Sequence, residues 1–133
     1  MKNVKVELIV SKLEKAFLAL ESVAFKPIQD DRVNVDATTQ RFKVTIELFW
    51  KLLKAILESK GVEAQYPKDV LSEAYKGHLI NDEFAWLSIL KDRNLTSHTY
   101  DEKLADEIYV RIQSYVALFR STLDKLKILT TSV

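Results

Sequence analysis

The sequence predicts an all-α helical bundle, and three observations carry that expectation. Apolar residues recur at three- and four-residue steps along most of the chain. Only two glycines and two prolines interrupt it. Alternation of apolar and polar residues, the mark of a strand, is confined to the few residues of "VKVELIV", where it merges into helical periodicity. With 133 residues, 47% of them apolar and 29% charged, the chain is long enough for one domain with a real core and too short for two ordinary ones, so 1–133 is read as a single domain.

Each element has its own justification. A first helix is expected over about Val4 to Ala24, where Ile9, Leu13, Ala16, Phe17, Leu20 and Ala24 share a face, and it stops before Pro27. The stretch "KPIQDDRVNVD" is polar and lacks periodicity, which reads as a loop leading to a second helix that begins near Asp36 to Thr39. There Phe42, Ile46, Phe49, Trp50, Leu53 and Leu57 form one apolar face, and Gly61 stands where a C-terminal cap belongs. Pro67 suits the first turn of a third, shorter helix through about Tyr75, closed by Gly77. Asn81 is the expected N-cap of a fourth helix, "DEFAWLSILKDRN", with Asp82 and Glu83 in the first turn, where the helix dipole favours acids. Thr99 and Glu102 have the spacing of a capping box opening a fifth helix. Along it Ile108, Ile112, Tyr115, Phe119, Thr122, Leu126 and Leu129 alternate steps of four and three.

Charge and composition narrow the function classes. A net charge of +1 gives no whole-molecule argument for nucleic-acid binding, so any RNA contact has to be local. No run of about 18 apolar residues occurs, and the N-terminus carries lysine and glutamate through its apolar stretch, so neither a membrane span nor a signal peptide is expected. A cytoplasmic protein is the expectation. The absence of cysteine removes thiol catalysis, disulfides and cysteine-based zinc sites. Asp30, Asp31 and Asp36 sit too close to the loop to read as a metal site, and no metal or cofactor is expected.

One stretch departs from the helical background. Arg93, Asn94, Ser97, His98, Thr99 and Tyr100 fall within eight residues, a density of polar and titratable groups that a packed helix does not need. On an unbroken helix Arg93 and His98 stand about 140° apart and do not meet. A helix break before the fifth helix changes this and lets both face one cleft. Helix N-termini present free N–H groups to anions, arginine grips phosphate bidentately, and histidine moves protons near neutral pH, so such a cleft suits phosphate chemistry. Asn94 and Thr96 add neutral hydrogen-bonding groups. The plain alternative is a tight packed turn in which Arg93 caps the fourth helix and His98 and Tyr100 simply pack.

Arg93, Asn94, three residues, His98, one residue and Tyr100 together resemble the signature of the HEPN superfamily, in its extended Arg, four residues, His, one residue, Tyr form. "QRFKVTIELFWKLLK", Gln40 to Lys54, is similar to that family's long second helix, and "PKDVLSEAYKGHLINDEFAWLSILKDRNLTSHTYDE" follows it through the third and fourth. Lys43 departs from the family pattern, standing where an acidic residue is usual. The branch resembled comprises nucleotidyltransferase substrate-binding proteins, called HepT-type toxins when they act in toxin–antitoxin pairs. The resemblance implies an antiparallel bundle forming a two-fold homodimer, with two Arg/His motifs at a shared cleft. It also implies a separately encoded minimal nucleotidyltransferase of the polymerase-β-like fold as partner, the antitoxin of the pair. No Gly-rich phosphate loop or Gly-Ser pair occurs in this chain, which assigns transferase chemistry to that partner.

Carried over by residue, the resemblance implies a metal-independent endoribonuclease. His98 acts as general base or acid, Arg93 stabilises charge on the phosphorus oxygens, and Asn94 orients His98 or the phosphate. Thr96 and Ser97 are supporting residues of the site, Glu47 supports the motif from the second helix, and Tyr100 resembles the residue that the partner modifies with AMP. The rival reading is a non-catalytic subunit that presents a nucleotide or other substrate to the partner. Outside the motif, Trp50 and Trp86 read as core or dimer-interface aromatics, Glu47 and Lys51 have the spacing of an exposed ion pair, and His78 reads as a surface residue at a helix end. Asp101 and Glu102 are explained by the dipole of the fifth helix.

Overall fold

A computed structural model of the chain describes residues 3–98 and 100–131. Five α-helices follow one another, and no strand occurs among the described residues. They are α1 (Val4–Ala24), α2 (Val33–Ser59), α3 (Pro67–Lys76), α4 (Glu83–Leu95) and α5 (Glu102–Thr131), with a 3-10 turn over Thr96–His98 joining the last two. One apolar cluster draws on all five helices, including Leu13 and Phe17 of α1, Phe42 and Phe49 of α2, Val70 of α3, Trp86 of α4 and Phe119 of α5. At its centre Phe49 stacks on Phe119 with ring centroids 5.1 Å apart, while Trp86 meets Phe49 edge-on, also at 5.1 Å. Offset and edge-to-face contacts of this kind add to the area these rings bury and fix how α2, α4 and α5 cross.

The local signals that start and stop the helices act mostly where the sequence places them. α1 has the expected bounds, its N-terminus capped by Asn3, whose side chain accepts from the Val6 amide at 3.1 Å. Gly61 takes the left-handed conformation, φ +81°, just past the end of α2, where a Cβ is costly. Pro67 opens α3 and Gly77 caps its end, while the left-handed residue there is the exposed His78, φ +62°.

Two boundaries differ from expectation, each for a long-range reason. α2 begins at Val33, three residues before Asp36. The preceding Arg32 turns left-handed, φ +59°, and its guanidinium reaches Asp106 on α5 at 2.7 Å. Asn34 donates to the Pro27 carbonyl at 3.2 Å, and Val35 packs with Ala105 and Tyr109, so the polar stretch is held as helix by α5. The N-cap of α4 is Asp82, which accepts from the Ala85 amide at 3.0 Å. Asn81 instead accepts from Lys125 of α5 at 3.0 Å.

Candidate functional site

Asp92 and Arg93 are neighbours near the end of α4, and they leave the helix in different directions. Arg93 lies toward α2, where its Nε donates to Glu47 Oε1 at 2.9 Å. The other oxygen of the same carboxylate accepts from the Trp50 indole at 3.0 Å. Glu47 thus holds one edge of the guanidinium in place, and charge assistance strengthens that contact. The Arg93 side chain keeps 32% of its surface exposed.

Asp92 lies toward α5 and is buried. It accepts from Arg111 Nε at 2.9 Å and from the Tyr115 hydroxyl at 2.5 Å. Burial first, then the hydrogen bond to Asp92, pushes the Tyr115 phenol well above its ordinary value, and the same carboxylate raises Arg111 through its hydrogen bond. The end of α4 is therefore pinned by one carboxylate from α2 and by a pair of donors from α5.

Beyond Leu95 the chain tightens rather than unwinding. Thr96, buried, donates its hydroxyl to the Arg93 carbonyl at 2.6 Å, and the exposed Ser97 donates to the Asn94 carbonyl at 3.0 Å. These two hydroxyls add bonds to carbonyls of the last helical turn, where the Arg93 carbonyl also accepts from the Thr96 amide. His98 closes the 3-10 turn, and its carbonyl accepts from the Asp101 amide at 3.1 Å. The His98 ring is exposed, and its Nδ1 lies 3.2 Å from the Tyr100 hydroxyl, with the two rings edge-on. Tyr100 is 82% exposed.

The expected capping box falls partly on Thr99, which lies outside the described residues. The N-terminal cap of α5 is formed by Asp101, whose side chain accepts from the Leu104 amide at 3.2 Å and whose carbonyl accepts from Ala105 at 2.9 Å. Asn94 is exposed on the last turn of α4. Arg93 and His98 do not bond to each other; each has its own partner, Glu47 and Tyr100.

Chemically, the turn presents an arginine with its two terminal nitrogens clear of the Glu47 contact and an exposed imidazole. Among the described residues, no group of His, Asp and Glu side chains is arranged to hold a metal ion. Trp86 is fully buried core, whereas Trp50 is half-buried and tied to Glu47. Sequence reasoning missed Asp92, Arg111 and Tyr115 as a network. The signal was present: Trp86, Ile89, Asp92 and Thr96 form the buried stripe of α4, and an acid on such a stripe needs a partner.

The family model for nucleotidyltransferase substrate binding protein like sequences matches residues 8–128. The chain belongs to this family. A Haemophilus influenzae relative named "Probable ribonuclease HepT" is 32% identical over 93 residues, a match covering 66% of this chain and 64% of that protein. The chain thus aligns with somewhat less than two thirds of that relative's length. A crystal structure of a Thermus thermophilus protein is similar with a TM-score of 0.79 and 39% identity, over 86% of this chain and 98% of that one. A Haemophilus influenzae structure, described as revealing the fold of a substrate binding domain of a nucleotidyltransferase, is similar with a TM-score of 0.79 and 27% identity, over 89% and 98% of the two chains. The nucleotidyltransferase substrate-binding family is thus all-helical here as in its solved relatives. No helix among the described residues is long and apolar enough to cross a membrane.

Proposed function

We propose that this substrate-binding family member is a metal-independent endoribonuclease of the HEPN type, the toxin of a pair whose antitoxin is a separately encoded nucleotidyltransferase. The observation that carries the reading is the presence, at the end of α4 and in the turn after it, of Arg93 oriented by Glu47 and of an exposed His98 aligned by Tyr100. The name of the Haemophilus influenzae relative supports the same activity.

When Nδ1 of His98 donates to the phenol oxygen, Nε2 keeps its lone pair and can act as a base. Nε2 takes the proton of a ribose 2′-hydroxyl as the 2′-oxygen attacks the adjacent phosphorus. The bond from phosphorus to the 5′-oxygen breaks, and that oxygen takes up a proton from solvent or from the imidazolium of a second copy. The products are a 2′,3′-cyclic phosphate and a 5′-hydroxyl. The terminal nitrogens of Arg93 bind the non-bridging oxygens as charge accumulates on them, and Asn94 adds a neutral contact. A homodimer doubles the grip that one Arg/His pair has on RNA.

Tyr100 is the proposed site of silencing. Its oxygen attacks the α-phosphorus of ATP on the partner, pyrophosphate leaves, and the new phosphodiester stands beside His98. Added bulk and negative charge there oppose an RNA phosphate.

The test is purified protein against its His98→Ala variant on total RNA, with sequencing of the ends. New ends bearing cyclic phosphate, seen only with His98 present, are expected; identical ends from both proteins overturn the reading. The description of the Haemophilus influenzae structure favours a second reading, a nucleotide-presenting subunit. Calorimetric nucleotide binding that requires Arg93, with no cleavage of RNA, selects it.

A further inference from the structure

The carboxylate that orients Arg93 also organises a face of α2 that the cleavage chemistry leaves unused. Lys43, Glu47, Trp50, Lys51 and Lys54 fall within about 100° of the helix circumference and span about 16 Å along it. All five are half-buried or exposed. Trp50 is held at one edge by its indole bond to Glu47, and the Lys54 ammonium lies 6.0 Å from its ring centroid. Among the described residues, Lys43, Lys51 and Lys54 form no ion pair. The acid one turn beyond Lys54, Glu58, pairs with Lys5 of α1 at 3.7 Å. The stripe therefore carries three uncompensated ammonium groups, an oriented aromatic ring, and a direct link through Glu47 to Arg93.

We propose that this stripe is the track for single-stranded RNA flanking the cleaved phosphate, with the lysines on backbone phosphates and Trp50 as a stacking platform for one base. Cations beside an aromatic ring are the elements by which single strands are held without sequence preference, and here they stand eight and three residues apart along α2. The near-zero net charge of the whole chain makes a local cationic stripe the more telling feature. The inference rests on the ribonuclease reading for its substrate class, but its binding step can be measured without cleavage.

The experiment uses the full chain carrying His98→Ala, titrated with a short fluorescein-labelled single-stranded RNA of mixed sequence at several salt concentrations. Lys51→Ala and Lys54→Ala each weaken binding about three- to tenfold at low salt and lower the slope of log affinity against log salt by about one. In protein with His98 restored, the same variants raise KM and leave kcat unchanged. RNA quenches Trp50 emission, read in a Trp86→Phe background, with the parent protein as control should that core change unfold the chain.

RNA affinity unaltered by either lysine overturns the track, as does a Trp50 signal that responds to dimer dissociation and not to RNA, since a second copy then covers the stripe. Lysine-dependent binding without cleavage retains the track and rejects the nuclease. Cleavage with unchanged KM in the lysine variants does the reverse.

Discussion

Two neighbouring patches at the end of α4 use similar residues to opposite ends. Around Asp92, an arginine and a tyrosine converge on a buried acid: Arg111 and Tyr115 both donate to a carboxylate that is 6% exposed. Around Arg93, an acid, an arginine, a histidine and a tyrosine engage only in part, and the arginine and both rings still face solvent. An acid buried with its donors stabilises a geometry, as do the groups bound to it. Groups that keep donors and acceptors in reserve have something left for a ligand. Residue type and partner number do not distinguish the patches; the burial of the acid does, 6% exposed for Asp92 against 37% for Glu47.

Substitutions sharpen the contrast. The largest effect is expected from Arg93→Ala, which should lower RNA cleavage by a factor of about a hundred to a thousand while shifting the urea midpoint little; a large stability loss with proportionate activity would erase the distinction between the patches. Asp92→Ala should act the other way, costing about 3 kcal/mol in urea unfolding, because two donors lose a buried acceptor. Tyr115→Phe removes one of those bonds and should cost about 1.5 kcal/mol, leaving kcat of the folded protein within a factor of about two.

The Tyr115 phenol also sets an alkaline limit. Its folded-state value is raised above the ordinary value of 10.0, so the folded chain holds this proton where the unfolded chain releases it. The associated stability is intact below pH 10 and declines as pH rises beyond it. Unfolding curves at alkaline pH should show that decline for the parent and a shallower one for Tyr115→Phe. The smallest effect is expected from Glu47→Gln. It keeps an acceptor oxygen for Arg93 but loses the charge and the acceptor for the half-buried Trp50 indole, and activity should fall several-fold with only a small fall in Tm.

The sequence discloses elements whose signals are local and conceals those set by distant partners. α1 is legible because its periodicity, its distance from Pro27 and its cap at Asn3 all lie within it. The start of α2 is concealed because Val33 to Val35 become helical against Asp106, Ala105 and Tyr109, about seventy residues away in the chain. Asn81 is by its residue type as good an N-cap as Asp82, and only Lys125 of α5 claims its side chain for another role. The Arg93, His98 and Tyr100 cluster is visible as an excess of polar groups. By spacing alone Glu47 pairs with Lys51 on the helix surface, and only the crossing of α2 and α4 turns it to the arginine. Asp92 is hidden among neighbours that are charged as well, although its register with Trp86 and Ile89 marks it as inward-facing.

The order in which a ribosome delivers these residues gives the Asp92 network one more consequence. Glu47 precedes Arg93 by 46 residues and already exists when the arginine is made, whereas Arg111 and Tyr115 follow Asp92 by 19 and 23. Synthesis runs from the N-terminus, so Arg93 through Tyr100 emerge onto a helix end whose buried acid still has no donors. A chain halted before Arg111 carries every residue of the motif and neither of the donors that α5 gives Asp92, so the turn acquires its final bearing only once α5 has been made through Tyr115.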